Sequence, residues 1–264
     1  MSLRRHVWAT AVMANNKAKR LAIRLTKWTG KSREYVHPKH LLGEDDDEQY
    51  WYLRHLDADD HVLDVGCGNG MHTLKTAGRC RCVAGIDRSA ESLGVGRRTA
   101  IARRADNVGL VRGDVESGLP FGAGRFDKVM CLDLLEHVEK RDLVLGEIRR
   151  VLRAEGVLLL AVPNRMTSWK RRLKCAGLPS YSDPDHKIEY GPGELADELE
   201  RNGFVIVTRV PGVYDTPLVG LVDVLGALSL ALYRRLSALR RRLAARWPNE
   251  DAGFCVVCVP ARPA

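Results

Sequence analysis

Two sets of residues in this 264-residue chain have the types and spacing to do chemistry: a run of glycines and acids, and histidines beside carboxylates. Asp64 stands two residues ahead of Gly66, Gly68 and Gly70, with Cys67 in the first gap, and the apolar run Val62-Leu63-Asp64-Val65 leads into them. Glycines at a strand-to-helix turn admit positive φ and let a ligand lie directly on main-chain N–H groups. Asp87 follows Gly66 at roughly the 20-residue offset of a ribose-binding acid in a βαβ unit, where its carboxylate can accept both ribose hydroxyls. A third acid, Asp114, ends a third apolar run. The dinucleotide fingerprint is G-x-G-x-x-G, whereas these glycines read G-x-G-x-G, and no Gly-Lys-Ser/Thr follows to make a phosphate loop. A doubly wound domain that binds NAD or a nucleotide stays open as the alternative.

Imidazole titrates nearest neutral pH, so histidine is the natural base for a hydroxyl or amine nucleophile. His186, in Asp185-His186-Lys187-Ile188-Glu189-Tyr190, reads as a base or a substrate ligand. His137, which follows Glu136, reads as a base or as a residue fixing a helix start. His72 reads as packing beside the glycine loop, and His37 and His40 sit in a lead-in that can close a pocket. Cys67 is expected to be a small filler rather than a nucleophile. The pairs Cys80/Cys82 and Cys255/Cys258 suggest zinc, but the second lies in a strand-like run where positions three apart face opposite ways, and no metal site is expected.

These residues need a scaffold, and the pattern of the chain supplies one. Apolar runs at 82–86, 108–111, 126–132 and 156–162 alternate with helical stretches at 71–77, 90–105, 140–152 and 192–202. Pro192 near a helix start and Gly203 just past its end obey the usual asymmetry. Phe204 to Val210 and Gly253 to Pro260 read as two last strands. Alternation of this kind predicts an α/β, doubly wound, mostly parallel sheet.

The order of the landmarks then points to a family. Asp64-x-Gly66-x-Gly68-x-Gly70, Asp87, Asp114, the Asp133-Leu134-Leu135-Glu136-His137-Val138 segment after strand four, and Pro163-Asn164-Arg165 after strand five occur in sequence. Together they resemble the class I S-adenosylmethionine-dependent methyltransferases, of the small-molecule type similar to the ubiquinone-biosynthesis group, over residues 50–210. The resemblance implies S-adenosyl-L-methionine as cofactor and a seven-stranded Rossmann-like sheet with its last strand antiparallel. It implies cofactor contacts at Asp64, Gly66, Cys67, Gly68, Gly70, Asp87, Arg88, Asp114, Val115, Leu132 and Asp133, with Asp114 near the adenine amino group. It also implies catalysis by positioning, with His186 and His137 as the candidate proton acceptors and no metal requirement. No Pro-Pro-Tyr motif follows strand four, which favours a hydroxyl of a secondary metabolite, sugar or lipid-linked precursor over a nucleic-acid base. The rivals are an RNA or protein methyltransferase and an inactive cofactor-binding scaffold.

Length fits one catalytic domain at residues 50–264 behind a basic helical lead-in at 1–49. Residues 1–43 carry ten lysines and arginines against the single acid Glu34, which accounts for the whole formal charge of +9. An acidic run occupies 44–48. Seven cysteines without a disulfide-like pattern, and no legible leader, predict a reduced cytoplasmic protein. The family normally joins its last two strands by a short hairpin; here a helical insertion is expected at 214–250. Its apolar residues 217–233 precede six arginines. It is too short to span a bilayer, and reads either as a lid or as a foot on an anionic membrane through 217–246, peripheral at the inner face. The lead-in similarly reads as a cap or solvated arm, a membrane-surface helix or a nucleic-acid arm, with nucleic acid the least expected partner. Oligomeric state is not legible.

Overall fold

The computed structural model describes residues 3–32, 36–42 and 50–261; the acidic run at 44–48 lies outside them. Seven strands form one sheet: β1 (His61–Val65), β2 (Cys82–Asp87), β3 (Val108–Arg112), β4 (Phe126–Leu132), β5 (Leu152–Pro163), β6 (Phe204–Val210) and β7 (Gly253–Pro260), in the order β3-β2-β1-β4-β5-β7-β6. β1 to β5 pair in parallel, while β7 pairs antiparallel with β6, as the fold class implied. Val62, Leu63, Asp64 and Val65 are all buried, the near-continuous burial of a central parallel strand covered on both faces. Strand order reverses between β1 and β4, the switch point at whose carboxyl ends a ligand crevice opens in such sheets.

The helices of the sheet unit follow their sequence signals. These are α2 (Met71–Thr76), α3 (Ala90–Arg103), α4 (Arg141–Val151) and α6 (Pro192–Arg201). Ser89 caps α3 by accepting from the Ser92 N–H at 3.1 Å. α4 buries Val144, Leu145, Ile148 and Val151 on one face. At the start of α6 the Glu194 carboxylate accepts the Gly191 N–H at 2.9 Å. Three local details differ from the sequence reading. β5 begins at Leu152 rather than Gly156, the segment 51–56, whose sequence reads as a helix leading into β1, is a 3-10 turn at Trp51–His55, and α5 (Ser168–Cys175) has no clear sequence signal because only Trp169 and Leu173 mark its apolar side.

The chain divides into two compact units. One, Trp51–Pro163, Asp185–Val210 and Phe254–Ala264, contains the sheet. The other gathers Met1–Tyr50, Asn164–Pro184 and Pro211–Gly253, and holds α1 (Leu3–Trp28), α5, α7 (Val219–Leu228) and α8 (Leu230–Arg246). Within it α1 packs on α7 and α7 on α8, both at glycine. A Cβ on Gly220 would lie 2.3 Å from the Asn15 carbonyl oxygen, and one on Gly226 would lie 2.3 Å from the Tyr233 ring. Asp223 is buried and reaches His37 Nε2 at 3.1 Å, and the Tyr233 hydroxyl donates to it at 3.4 Å. Asn164, whose type and place after β5 read equally as a strand terminator or a substrate contact, is buried as a latch in this unit: its Nδ2 donates to the Asp251 carbonyl at 2.9 Å and its Oδ1 accepts the Met166 N–H at 2.7 Å.

Candidate functional site

Gly66, Gly68 and Gly70 adopt φ of +74°, +53° and +72°, the left-handed region that glycine enters at no steric cost. A Cβ on Gly66 would lie 2.6 Å from Leu134 Cδ1, so the first glycine also allows the β1 and β4 loops to approach. The Gly66 and Cys67 N–H groups donate to the Ile86 carbonyl at 2.9 and 3.0 Å, pinning the loop to β2. The Gly68 N–H donates to Asp87 Oδ2 and the Ser89 N–H to Asp87 Oδ1, both at 2.8 Å. Asp87 is thus held rigidly, and each oxygen keeps a second lone pair for an incoming hydroxyl. Cys67 Sγ occupies the space that Gly85 leaves, 2.8 Å from where a Cβ would stand, and burial with the Asp64 and Asp87 charges pushes its thiol far up. This environment suppresses a thiolate and fits a packing role.

Asp64 lies beneath the loop, 3% exposed, and accepts the Thr73 hydroxyl at 2.5 Å. Burial raises its carboxyl to about 6, with the Asp87 charge adding to the rise and the Thr73 hydrogen bond opposing it.

A cavity of about 210 Å³ opens where these loops meet. Of the residues named from sequence, Gly66, Asp87, Arg88, Asp114, Val115, Asp133 and His137 line it. Asp64, Cys67, Gly68, Gly70 and Leu132 do not; they hold the loop and strand ends that shape it. Gly113, Glu116, Leu134 and Val138 line it without having been anticipated. Gly113 carried a signal, a glycine directly before the third acid: a Cβ there would lie 2.8 Å from Ile86 Cδ1. Asp133 takes φ of +55°, an uncommon conformation for a residue with a side chain and one that clusters at functional turns. Asp114 accepts the Glu116 N–H at 3.0 Å and so caps the turn beyond β3.

His186 does not line this cavity. Its ring meets that of His137 edge to face with centroids 4.7 Å apart, so His137 forms the wall and His186 its support. His186 Nδ1 is 2.9 Å from Glu189 Oε1 and its Nε2 is 4.0 Å from Glu136 Oε1. Both carboxylates are buried, at 0% and 1% exposure, so the imidazole lies between two acids away from solvent. His72 Nδ1 lies 2.7 Å from the Tyr52 hydroxyl, consistent with a packing role. Among the described residues the one cluster dense enough to hold a metal is Glu136, His137 and His186, with a ligand atom from each within 4.8 Å of the others; neither cysteine pair belongs to such a cluster.

The family model described as a methyltransferase domain matches residues 56–203, more than half of the chain. The chain belongs to the class I S-adenosylmethionine-dependent methyltransferases. A probable S-adenosylmethionine-dependent methyltransferase of Mycolicibacterium smegmatis is 28% identical over 169 residues, 61% of this chain and 61% of that protein. A ubiquinone biosynthesis O-methyltransferase of Serratia proteamaculans is 34% identical over 142 residues, 52% of this chain and 58% of that protein. The matches therefore span less than two thirds of those relatives' lengths. Among solved structures, the magnesium protoporphyrin IX methyltransferase of Synechocystis, with bound SAH, shares the fold at a TM-score of 0.55 and 17% identity, covering 83% of this chain and 82% of that one.

The family cofactor is S-adenosyl-L-methionine, and the cavity's charge fits it. Asp87, Asp114, Glu116 and Asp133 line the wall against a single cation, Arg88. Such a wall attracts the cationic sulfonium and repels the pyrophosphate of NAD, which answers the alternative left open by the glycines.

Proposed function

We propose that the chain transfers a methyl group from S-adenosyl-L-methionine to a hydroxyl oxygen of a small-molecule acceptor, a secondary metabolite, sugar or lipid-linked precursor, in the cytoplasm. The observation that carries the reading is a histidine on the wall of an acid-lined cofactor cavity, backed by a second histidine bonded to a buried carboxylate. Relatives named O-methyltransferases support oxygen as the acceptor atom.

When bound, the cofactor supplies an electrophilic methyl group on a sulfonium. Asp87, clamped by two backbone N–H groups, would hold the ribose hydroxyls, and Asp114 would serve the adenine, as the family resemblance implies. Asp64, Gly68 and Gly70 keep the loop open for the ligand. His137 is placed to take the acceptor's proton, the part a positioned imidazole plays in general-base catalysis. With Nδ1–H donated to Glu189, His186 presents its Nε2 toward Glu136 and holds the His137 ring by edge-to-face contact. We read this cluster as handling a proton rather than a metal, because the sulfonium already makes the methyl group reactive. Turnover is expected to survive a chelator.

The test is release of S-adenosylhomocysteine against a panel of phenolic, sugar and lipid-linked hydroxyls. Methylation of a panel member at oxygen is the expected result. Turnover restricted to RNA or protein would replace the acceptor class. Saturable cofactor binding with no turnover on any acceptor would favour the scaffold reading.

A further inference from the structure

The helices α1, α7 and α8, the ring of Tyr233 apart, bury mostly small residues and expose large apolar ones. Ala22, Gly220, Gly226, Ala227, Ser237 and Ala244 are buried, whereas Trp28 is 89% exposed, Leu218 59%, Leu221 53% and Leu239 52%. Nine of the fifteen exposed large hydrophobic side chains among the described residues lie on these helices or their immediate ends, a concentration that scattered surface leucines do not produce. The exposure follows helical spacing. On α8, Leu232, Arg235, Leu239, Arg242 and Arg246 alternate at steps of three and four on the solvent side, and on α1 the exposed stripe runs through Met13, Lys17, Leu21, Arg24 and Trp28.

We propose that the outward faces of α1, α7 and α8 seat this unit on the surface of an anionic lipid bilayer. Charge selects this occupant. The three helices contain one acid, Asp223, which is 1% exposed and paired with His37, while α1 and α8 carry lysine and arginine only. Two copies of so cationic a face repel each other, which disfavours self-association. Leucines and tryptophans between the cations fit an acyl boundary better than a phosphodiester backbone, since apolar side chains gain nothing from phosphate contacts. Arginine and lysine stems can lie along the apolar stripe with their charges at the headgroups. Among the described residues no helix is long and apolar enough to cross a membrane, so the contact lies in the plane of the interface. Trp247, 48% exposed at the end of α8 with Arg246 stacked 5.4 Å over its ring, adds an aromatic anchor at headgroup depth.

The experiment is sedimentation of the full chain with phosphatidylcholine vesicles, with and without phosphatidylglycerol. Binding is expected with the anionic vesicles and little with phosphatidylcholine alone. Leu232→Ser with Leu239→Ser should lower the partition by about ten-fold or more. Arg235→Gln with Arg242→Gln should lower it by about ten-fold or more and flatten its salt dependence. All four positions are on the exposed side or at its edge, and unchanged circular dichroism and melting temperature would show that the variants fold. Absence of binding, equal binding to both vesicle types, or binding untouched by either pair would overturn the proposal. So would a dimer in gel filtration that the leucine pair dissociates, or retention by RNA that only the arginine pair abolishes in a chain that ignores vesicles.

Discussion

In the sheet unit the fully buried side chains are large, Leu63, Ile86, Leu135, Tyr190 and Phe204 among them; in α1, α7 and α8 the buried positions are mostly alanine, glycine and serine, and leucine and tryptophan face outward. The sheet unit stabilises itself by removing apolar area from water, at roughly 25 cal/mol per Å². The three helices rely on close backbone approach at Gly220 and Gly226 and on the buried Asp223, and leave much of their apolar surface for something else to cover. On the bilayer proposal, one surface is an outcome of folding and the other a resource for binding.

The largest effect should come from removing the proposed proton acceptor at the site that the sheet unit builds. His137→Ala is expected to cut kcat by about 10²- to 10⁴-fold with little change in cofactor affinity, the usual contribution of a positioned base. His186→Ala should follow the same pattern more weakly and shift the pH profile, since it acts through His137. Steady-state kinetics beside a cofactor titration separates the two parameters, and a loss confined to affinity would move these histidines out of the chemistry.

Packing gives the next effect. Leu63→Ala in β1, where the side chain is 0% exposed, should cost about 2–5 kcal/mol in denaturant unfolding. Leu239→Ala in α8 should change stability by no more than about 0.5 kcal/mol. Similar costs at both positions would erase the contrast between the regions.

Asp64 allows a pH test with a definite sign. Its folded carboxyl titrates at about 6 against an ordinary 3.8, so the native state binds the extra proton between those values, and stability is lost as pH rises through that window. Asp64→Asn should remove up to about 3 kcal/mol of that loss at pH 7, the free energy of a shift of about two units. A residual slope should remain from Asp251, which burial also raises to about 6 against hydrogen bonds from the Gly212 and Gly253 N–H groups. An unchanged slope in the variant would mean that Asp64 is solvated rather than buried.

Much of the sheet and its ligand crevice was legible because backbone chemistry dictated it. Glycine with positive φ is rare enough to mark the loop, and acids that end apolar strands stand out against their surroundings. Leu134, Val138 and Glu116 were not legible as cavity residues, because ordinary residue types become wall only once β4 and the turn after β3 are placed. The mutual placement of the two histidines was not legible for the same reason: sequence spacing cannot show that Asp185–Val210 brings the His186 ring against that of His137. Nor did composition show that residues 1–50 and 211–253 belong to one unit, since the contacts joining α1 to α7 link residues far apart in the chain and run through glycine and asparagine, as in the Gly220 N–H donated to Asn15 Oδ1 at 2.7 Å across 205 positions.

A further variant probes the central claim from one side: Asp87→Ala should weaken S-adenosylmethionine binding by about 1–3 kcal/mol, the cost of losing a charged hydrogen-bond partner. The direct measurement is calorimetric titration of the full chain with S-adenosylmethionine and, separately, with NAD. Saturable heat with the first and none with the second is the result predicted by a cavity walled by Asp87, Asp114, Glu116 and Asp133. Saturable binding of NAD, or silence toward S-adenosylmethionine in folded protein, would contradict it.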